Sequence, residues 1–147
     1  GGCLIALASD YRYGMFGMHR MGLNEMAIGI DLPPDMLSII SHSISRENLF
    51  EVATQCKMYT PKQAYKKGLI NEYIGNPFIG KKRATSEALK RAKKLAGFYI
   101  NAGEPFVRLK QSLMHETDFD YEILISNWFS PETQAKIKKV MSTLAKK

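Results

Sequence analysis

Apolar positions fall in short runs parted by glycine, proline and charged clusters, and their period changes along the chain. The opening GGCLIALA, Gly1 to Ala8, is apolar and small before Ser9-Asp10, which predicts a buried helix with the glycines in its first turn. Tyr11 to Met21 (YRYGMFGMHRM) predicts a short strand, a turn and a second short strand. Gly22 to Ile30 (GLNEMAIGI) predicts a tight loop running into an apolar segment.

Pro33-Pro34 breaks the chain. Asp35 is then placed to cap a helix over 36–43, with apolar Met36, Leu37, Ile39, Ile40 and Ile44. Ser45 caps the next helix, with Leu49, Phe50, Val52 and Ala53 inward. Thr60-Pro61-Lys62-Gln63 is a capping box with Pro at the first helical position, and that helix stops at Gly68. Leu69 to Ile74 predicts a strand, and Gly75-Asn76-Pro77 a loop. Three helices finish the chain. The first covers about 86–97, with Ala88, Leu89, Ala92, Leu95 and Ala96 on one face. The second starts near Glu104-Pro105 and carries Val107, Leu109, Leu113 and Met114. The third is announced by Ser130-Pro131 and buries Ile137, Val140, Met141 and Leu144.

The 147 residues are 45% hydrophobic and 24% charged, an ordinary globular balance that excludes wholesale disorder. A length of this order predicts about one domain. No apolar run approaches the ~18 residues of a membrane span, and no leader opens the chain. A net charge of +7 predicts an anionic partner, for which nucleic acid, a membrane surface and a phosphorylated small molecule all qualify. Cys3 and Cys56 are too few for a disulfide framework and read as free thiols in a reducing compartment. His19, His42 and His115 share no ligand spacing, so no metal site is predicted. The chain opens on Gly rather than Met, and is read as starting inside a longer frame or after processing.

Two features carry chemistry. Gly1-Gly2 at the mouth of a helix would let a ligand oxygen approach unpaired N–H groups at the positive end of the dipole. Glu25 is the ionisable residue of an otherwise uncharged stretch, and a carboxylate in such surroundings suits general-base work. Taken alone, the glycines also read as a loop or a cloning remnant, and Glu25 as a solvent-facing loop residue.

Together, in this order, they resemble something specific. Gly1-Gly2-Cys3-Leu4-Ile5-Ala6-Leu7, Asp10-Tyr11-Arg12, Gly22-Leu23-Asn24-Glu25 and Gly29-Ile30 resemble the crotonase (enoyl-CoA hydratase/isomerase) superfamily, and within it the mitochondrial Δ3,Δ2-enoyl-CoA (dodecenoyl-CoA) isomerases. Thr60-Pro61, Ala64 and Gly68-Leu69-Ile70-Asn71-Glu72 resemble a later family segment. The resemblance covers this whole chain but only the C-terminal part of the family's catalytic domain. It implies an α/β fold, with a truncated crotonase-like ββα-spiral over 1–80 and a C-terminal helical region for CoA binding and oligomerisation over 81–147.

The resemblance also implies a reaction. Family hydratases carry a second glutamate at the position of Leu4. An apolar residue there suits an isomerase, and keeps water from the intermediate. Pro33-Pro34-Asp35, in place of a glycine-rich stretch of the hydratases, fits the same branch. The implied activity converts 3-enoyl-CoA to 2-trans-enoyl-CoA in unsaturated fatty-acid β-oxidation. Glu25 would shuttle the proton, Gly1 would supply an oxyanion donor, and Gly1, Leu4 and Asn24 would contact the substrate. No cofactor is implied beyond the coenzyme A of the thioester substrate. The basic residues Lys136, Lys138, Lys139, Lys146 and Lys147 are candidates for its phosphates, against the plainer reading of a solvated helix face. Trp128-Phe129 fits core packing better than the border of an acyl tunnel, and Met15, Met18 and Met21 fit as filler.

A homotrimeric full-length protein in the mitochondrial matrix is implied as well, without nucleic acid or a membrane span. Ala145-Lys146-Lys147 is not a peroxisomal S-K-L address. The absent N-terminal part would hold the other oxyanion donor, so the chain by itself is expected to be inactive or feeble, with exposed sheet edges. The competing readings are another crotonase reaction, such as 2-enoyl-CoA hydration, and a non-catalytic crotonase-like binding or assembly module.

Overall fold

The computed structural model describes residues 1–75, 78–113 and 121–144. Asn76-Pro77, Met114, His115 and 145–147, with Lys146 and Lys147, lie outside the described residues, as does the side chain of Leu144. The first helix, α1 (Gly2–Leu7), starts from Gly1. It is half rather than wholly buried: Leu7 is inside and Ile5 is exposed. Strand β1 (Tyr13–Met15) follows as predicted. The second strand of that segment shrinks to one antiparallel bridge, Met21 with Tyr59. Arg20 folds back to donate to the Met18 and His19 carbonyls, which occupies acceptors that a ladder would use. Met18 is exposed rather than filler.

Helix α2 (Pro34–Ser43) begins two residues earlier than predicted. Pro34 occupies the first turn, where a missing N–H costs nothing, so Pro33 is the cap and Asp35 lies inside the first turn. Helix α3 (Arg46–Thr54) starts after Ser45 as predicted, although Ser45 makes no side-chain cap bond. Thr60 and Gln63 form the full reciprocal capping box of α4 (Pro61–Lys66). Strand β2 is shorter than predicted, Glu72–Ile74. The Leu69 and Ile70 amides go back to the Ala64 carbonyl instead, closing the end of α4. The sheet is one parallel pair, with Tyr13, Gly14 and Met15 opposite Glu72, Tyr73 and Ile74.

The core gathers Leu7, Leu23, Ile40, Ile44, Val52, Tyr59, Ala64, Leu69 and Ile70. It therefore lies among α1, α2, α3, α4 and the 21–30 segment. Arg12 locks it from one side: its Nε donates to Leu69 O at 3.0 Å, and its Nη1 donates to Ser9 O at 2.8 Å and to Leu7 O at 3.4 Å. Phe50, predicted inward, points outward, and Leu37 is exposed as well, because the core takes Ile40, Ile44 and Val52 on the neighbouring faces.

Helix α5 runs from Lys81 to Ala102, longer at both ends than predicted. Gly97 does not stop it; Gly103, at φ 59°, does. Helix α6 (Glu104–Leu113) follows. Helix α7 (Tyr121–Phe129) is not predicted by the sequence pattern at all, and α8 is Pro131–Leu144. Leu89, Val107, Leu109, Leu113, Val140 and Met141 are exposed, and so are Trp128 and Phe129, against the core packing that the sequence suggests for that pair. Helical period shows that a face is apolar, not that a neighbour covers it.

A polar knot holds α3 to the end of α4. Glu51 accepts from Lys67 at 2.7 Å and from Tyr59 Oη at 3.0 Å, with Lys57 at 3.4 Å. Those bonds, Lys67 first, hold its carboxyl at about 2 rather than the ordinary 4.5. A depressed carboxyl stabilises the fold above its unfolded pKa and loses that contribution as pH falls through the folded value. Denaturant titrations should therefore show stability dropping between pH 4.5 and about 2, with a shallower drop in Glu51→Gln. An unchanged slope would remove the knot's role.

Candidate active site

The segment 21–30 is pinned at both ends. Met21 and Tyr59 exchange backbone bonds at 3.0 and 2.8 Å. Gly22 then passes so close to the Lys57 carbonyl that any Cβ would collide with it. Leu23 and Ile30 are buried on either side. Between them Met26–Ile28 forms one 3-10 turn, closed by Gly29 in the left-handed region at φ 74°. The Glu25 carbonyl accepts from Ile28 N at 3.1 Å and Ile30 N at 3.0 Å, which sets the backbone under the Glu25 side chain. The Asn24 carbonyl accepts from Ala27 N.

That geometry turns Glu25 inward, at 8% exposure. Its Oε1 lies 3.4 Å from the Gly1 nitrogen, an ion pair with the charged amino terminus of this chain. Its Oε2 is buried with no hydrogen-bond partner among the described residues. A carboxylate oxygen withdrawn from water and left unpaired is costly, so this atom invites a donor. Gly1 and Gly2 leave open space where a side chain would stand: a Cβ on either would meet nothing within 4 Å. Protein packing therefore does not demand glycine at these two positions. Leu4, one turn on, is half-buried against the core, and Asn24 is half-buried beside Glu25.

The structure thus brings Gly1 and Glu25 into contact and keeps Leu4 and Asn24 next to them in the chain. Lys136 of α8 has its Nζ 2.7 Å from where a Gly29 Cβ would be, so α8 packs against the turn that follows Glu25. Lys138 and Lys139 are exposed on the same helix. Sequence reasoning missed Cys3 as a neighbour of the carboxylate. Its half-buried thiol is pushed up to about 11, by burial first and by the negative charge of Glu25 second. It stays protonated near neutrality and is no nucleophile there. Only its place between Gly2 and Leu4 could have signalled this.

The Cys3 thiol reports where Glu25 points. In a Cys56→Ser background, alkylation of Cys3 should rise only as pH nears about 11. Glu25→Gln removes a charge that holds the thiol up, so the onset should move to lower pH. An unmoved onset would place Glu25 away from Cys3.

No protein-family model and no curated protein sequence matches this chain. Solved structures do. An enoyl-CoA hydratase/isomerase family protein from Pseudomonas syringae superposes with a TM-score of 0.64 at 19% identity, over 92% of this chain and 52% of that one. Human mitochondrial delta3-delta2-enoyl-CoA isomerase gives 0.64 at 19% identity, over 99% and 57%. An enoyl-CoA hydratase from Mycobacterium ulcerans gives 0.62 at 18% identity, over 92% and 54%. The chain spans about half the length of these structures. What it shares with them is the fold: a truncated crotonase-like fold with C-terminal helices.

Proposed function

We propose that this chain carries the acid–base half of an enoyl-CoA isomerase site. The observation that carries the reading is Glu25, buried with Oε1 against the Gly1 nitrogen and Oε2 unpartnered. Likeness in fold to enoyl-CoA hydratase/isomerase proteins, one of them a delta3-delta2-enoyl-CoA isomerase, supports the substrate class.

The chemistry follows from one carboxylate beside the Gly1 nitrogen, an ammonium here and a peptide N–H donor when residues precede it. A 3-enoyl thioester places its carbonyl oxygen at the Gly1 nitrogen, replacing the Gly1–Glu25 contact. Glu25 takes a proton from C2. The electron pair spreads over C2–C4 and the carbonyl oxygen as a dienolate, stabilised by the main-chain donor. Protonated Glu25 returns the proton at C4, and the double bond ends at C2–C3. Atoms and charge balance, and the carboxylate is regenerated. Leu4 puts an aliphatic group where a second carboxylate would hold water. That favours isomerisation over hydration. Asn24 contacts the substrate beside Glu25.

The proposal extends to coenzyme A entering only as part of the acyl-CoA substrate, and to a homotrimeric full-length enzyme. It extends also to the mitochondrial matrix, for which the support is the likeness in fold to a human mitochondrial isomerase. The test is a paired assay of the full-length protein. With 3-enoyl-CoA, formation of 2-trans-enoyl-CoA should dominate, and water addition to 2-enoyl-CoA should be far slower. Comparable rates would favour a hydratase. No affinity for acyl-CoA would favour a non-catalytic module.

A further inference from the structure

Helix α5 holds charge that the fold does not use. It carries seven Lys and Arg against one Glu, a net of +6, while the whole chain nets +7. Arg91 is accounted for, paired with Glu72 and Glu87. Lys82, Arg83, Lys90, Lys93 and Lys94 are exposed, and none pairs with a carboxylate among the described residues. The inner face, Ala84, Ala88, Ala92, Leu95 and Tyr99, lies on the side packed toward β1, β2 and α6.

Helical geometry sorts the outer residues into two adjacent stripes. One is Lys82, Leu89, Lys93 and Ile100; the other is Arg83, Lys90, Lys94 and Asn101. Like charges three and four residues apart repel, and Lys81, Lys82 and Arg83 oppose the dipole at the helix start. Such a surface weakens the helix unless a polyanion covers it.

We propose that the outer face of α5 docks on an anionic lipid bilayer. The cations match its headgroup charge. Leu89 and Ile100, 57% and 77% exposed, stand among them as aliphatic tips that reach the acyl boundary. A nucleic acid would instead call for rings between the cations, and Phe98 falls off both stripes. No helix among the described residues is long and apolar enough to cross a membrane, so the contact is peripheral.

Vesicle co-sedimentation tests this. The chain should bind phosphatidylcholine vesicles that contain phosphatidylserine, not phosphatidylcholine alone, and binding should fall with salt. Replacing Lys90, Lys93 and Lys94 together by Gln should weaken partitioning about a hundredfold, since each basic residue at such a surface contributes roughly fivefold. Far-UV circular dichroism should not change. Leu89→Ser with Ile100→Ser should lower the binding that survives at high salt. Equal binding to both vesicle types, or full binding by the triple variant, overturns the proposal. So does absence of vesicle binding with polyuridine retained through the same lysines.

Discussion

A six-residue helix with opposite charges at its two ends organises the rest. Helix α1 is too short to hold itself together, and tertiary contacts must place it. Glu25 sits at its N-terminal end, paired with the Gly1 ammonium at 3.4 Å, where the dipole also favours a negative charge. Arg12 sits at its C-terminal end, donating to the Leu7 and Ser9 carbonyls, where the dipole favours a positive one. Ser43 Oγ adds a bond to Leu7 O at 2.9 Å, tying the helix to α2. Both buried charges thus serve one element, and α1 cannot turn without unpairing one of them.

This arrangement explains why the carboxylate can be buried with an oxygen left over. Leu23 and Ile30 are the anchors; Glu25 goes inward because the turn between them is closed by its own carbonyl. Gly22 allows the segment to pass under the Lys57 carbonyl, and Gly29 supplies the left-handed turn. The helix end then meets the carboxylate from the opposite side. The site is a product of backbone geometry, with α8 leaning on its outer edge through Lys136.

Local signals were legible in the sequence. Thr60 to Gln63 marks its own helix start, because every partner of a capping box lies within four residues. Glu25 between Leu23 and Ile30 was legible as a carboxylate in apolar surroundings, and the motif order pointed to the fold. What depends on distant partners was not. The carbonyls that hold Arg12 come from α1 and from Leu69, and no spacing announces them. Phe50, Val140 and Met141 keep helical period yet face outward. The stretch of α7, YEILISNWF, is apolar without a clear stripe, so pattern reading passed over it.

The central claim is that one carboxylate moves the proton. Turnover of 3-enoyl-CoA by full-length Glu25→Gln, set beside binding of a saturated acyl-CoA, tests it most directly. The account predicts a kcat lower by about a hundredfold or more, the scale of a lost general base, with acyl-CoA affinity nearly unchanged. A variant that still isomerises at the native rate would contradict it.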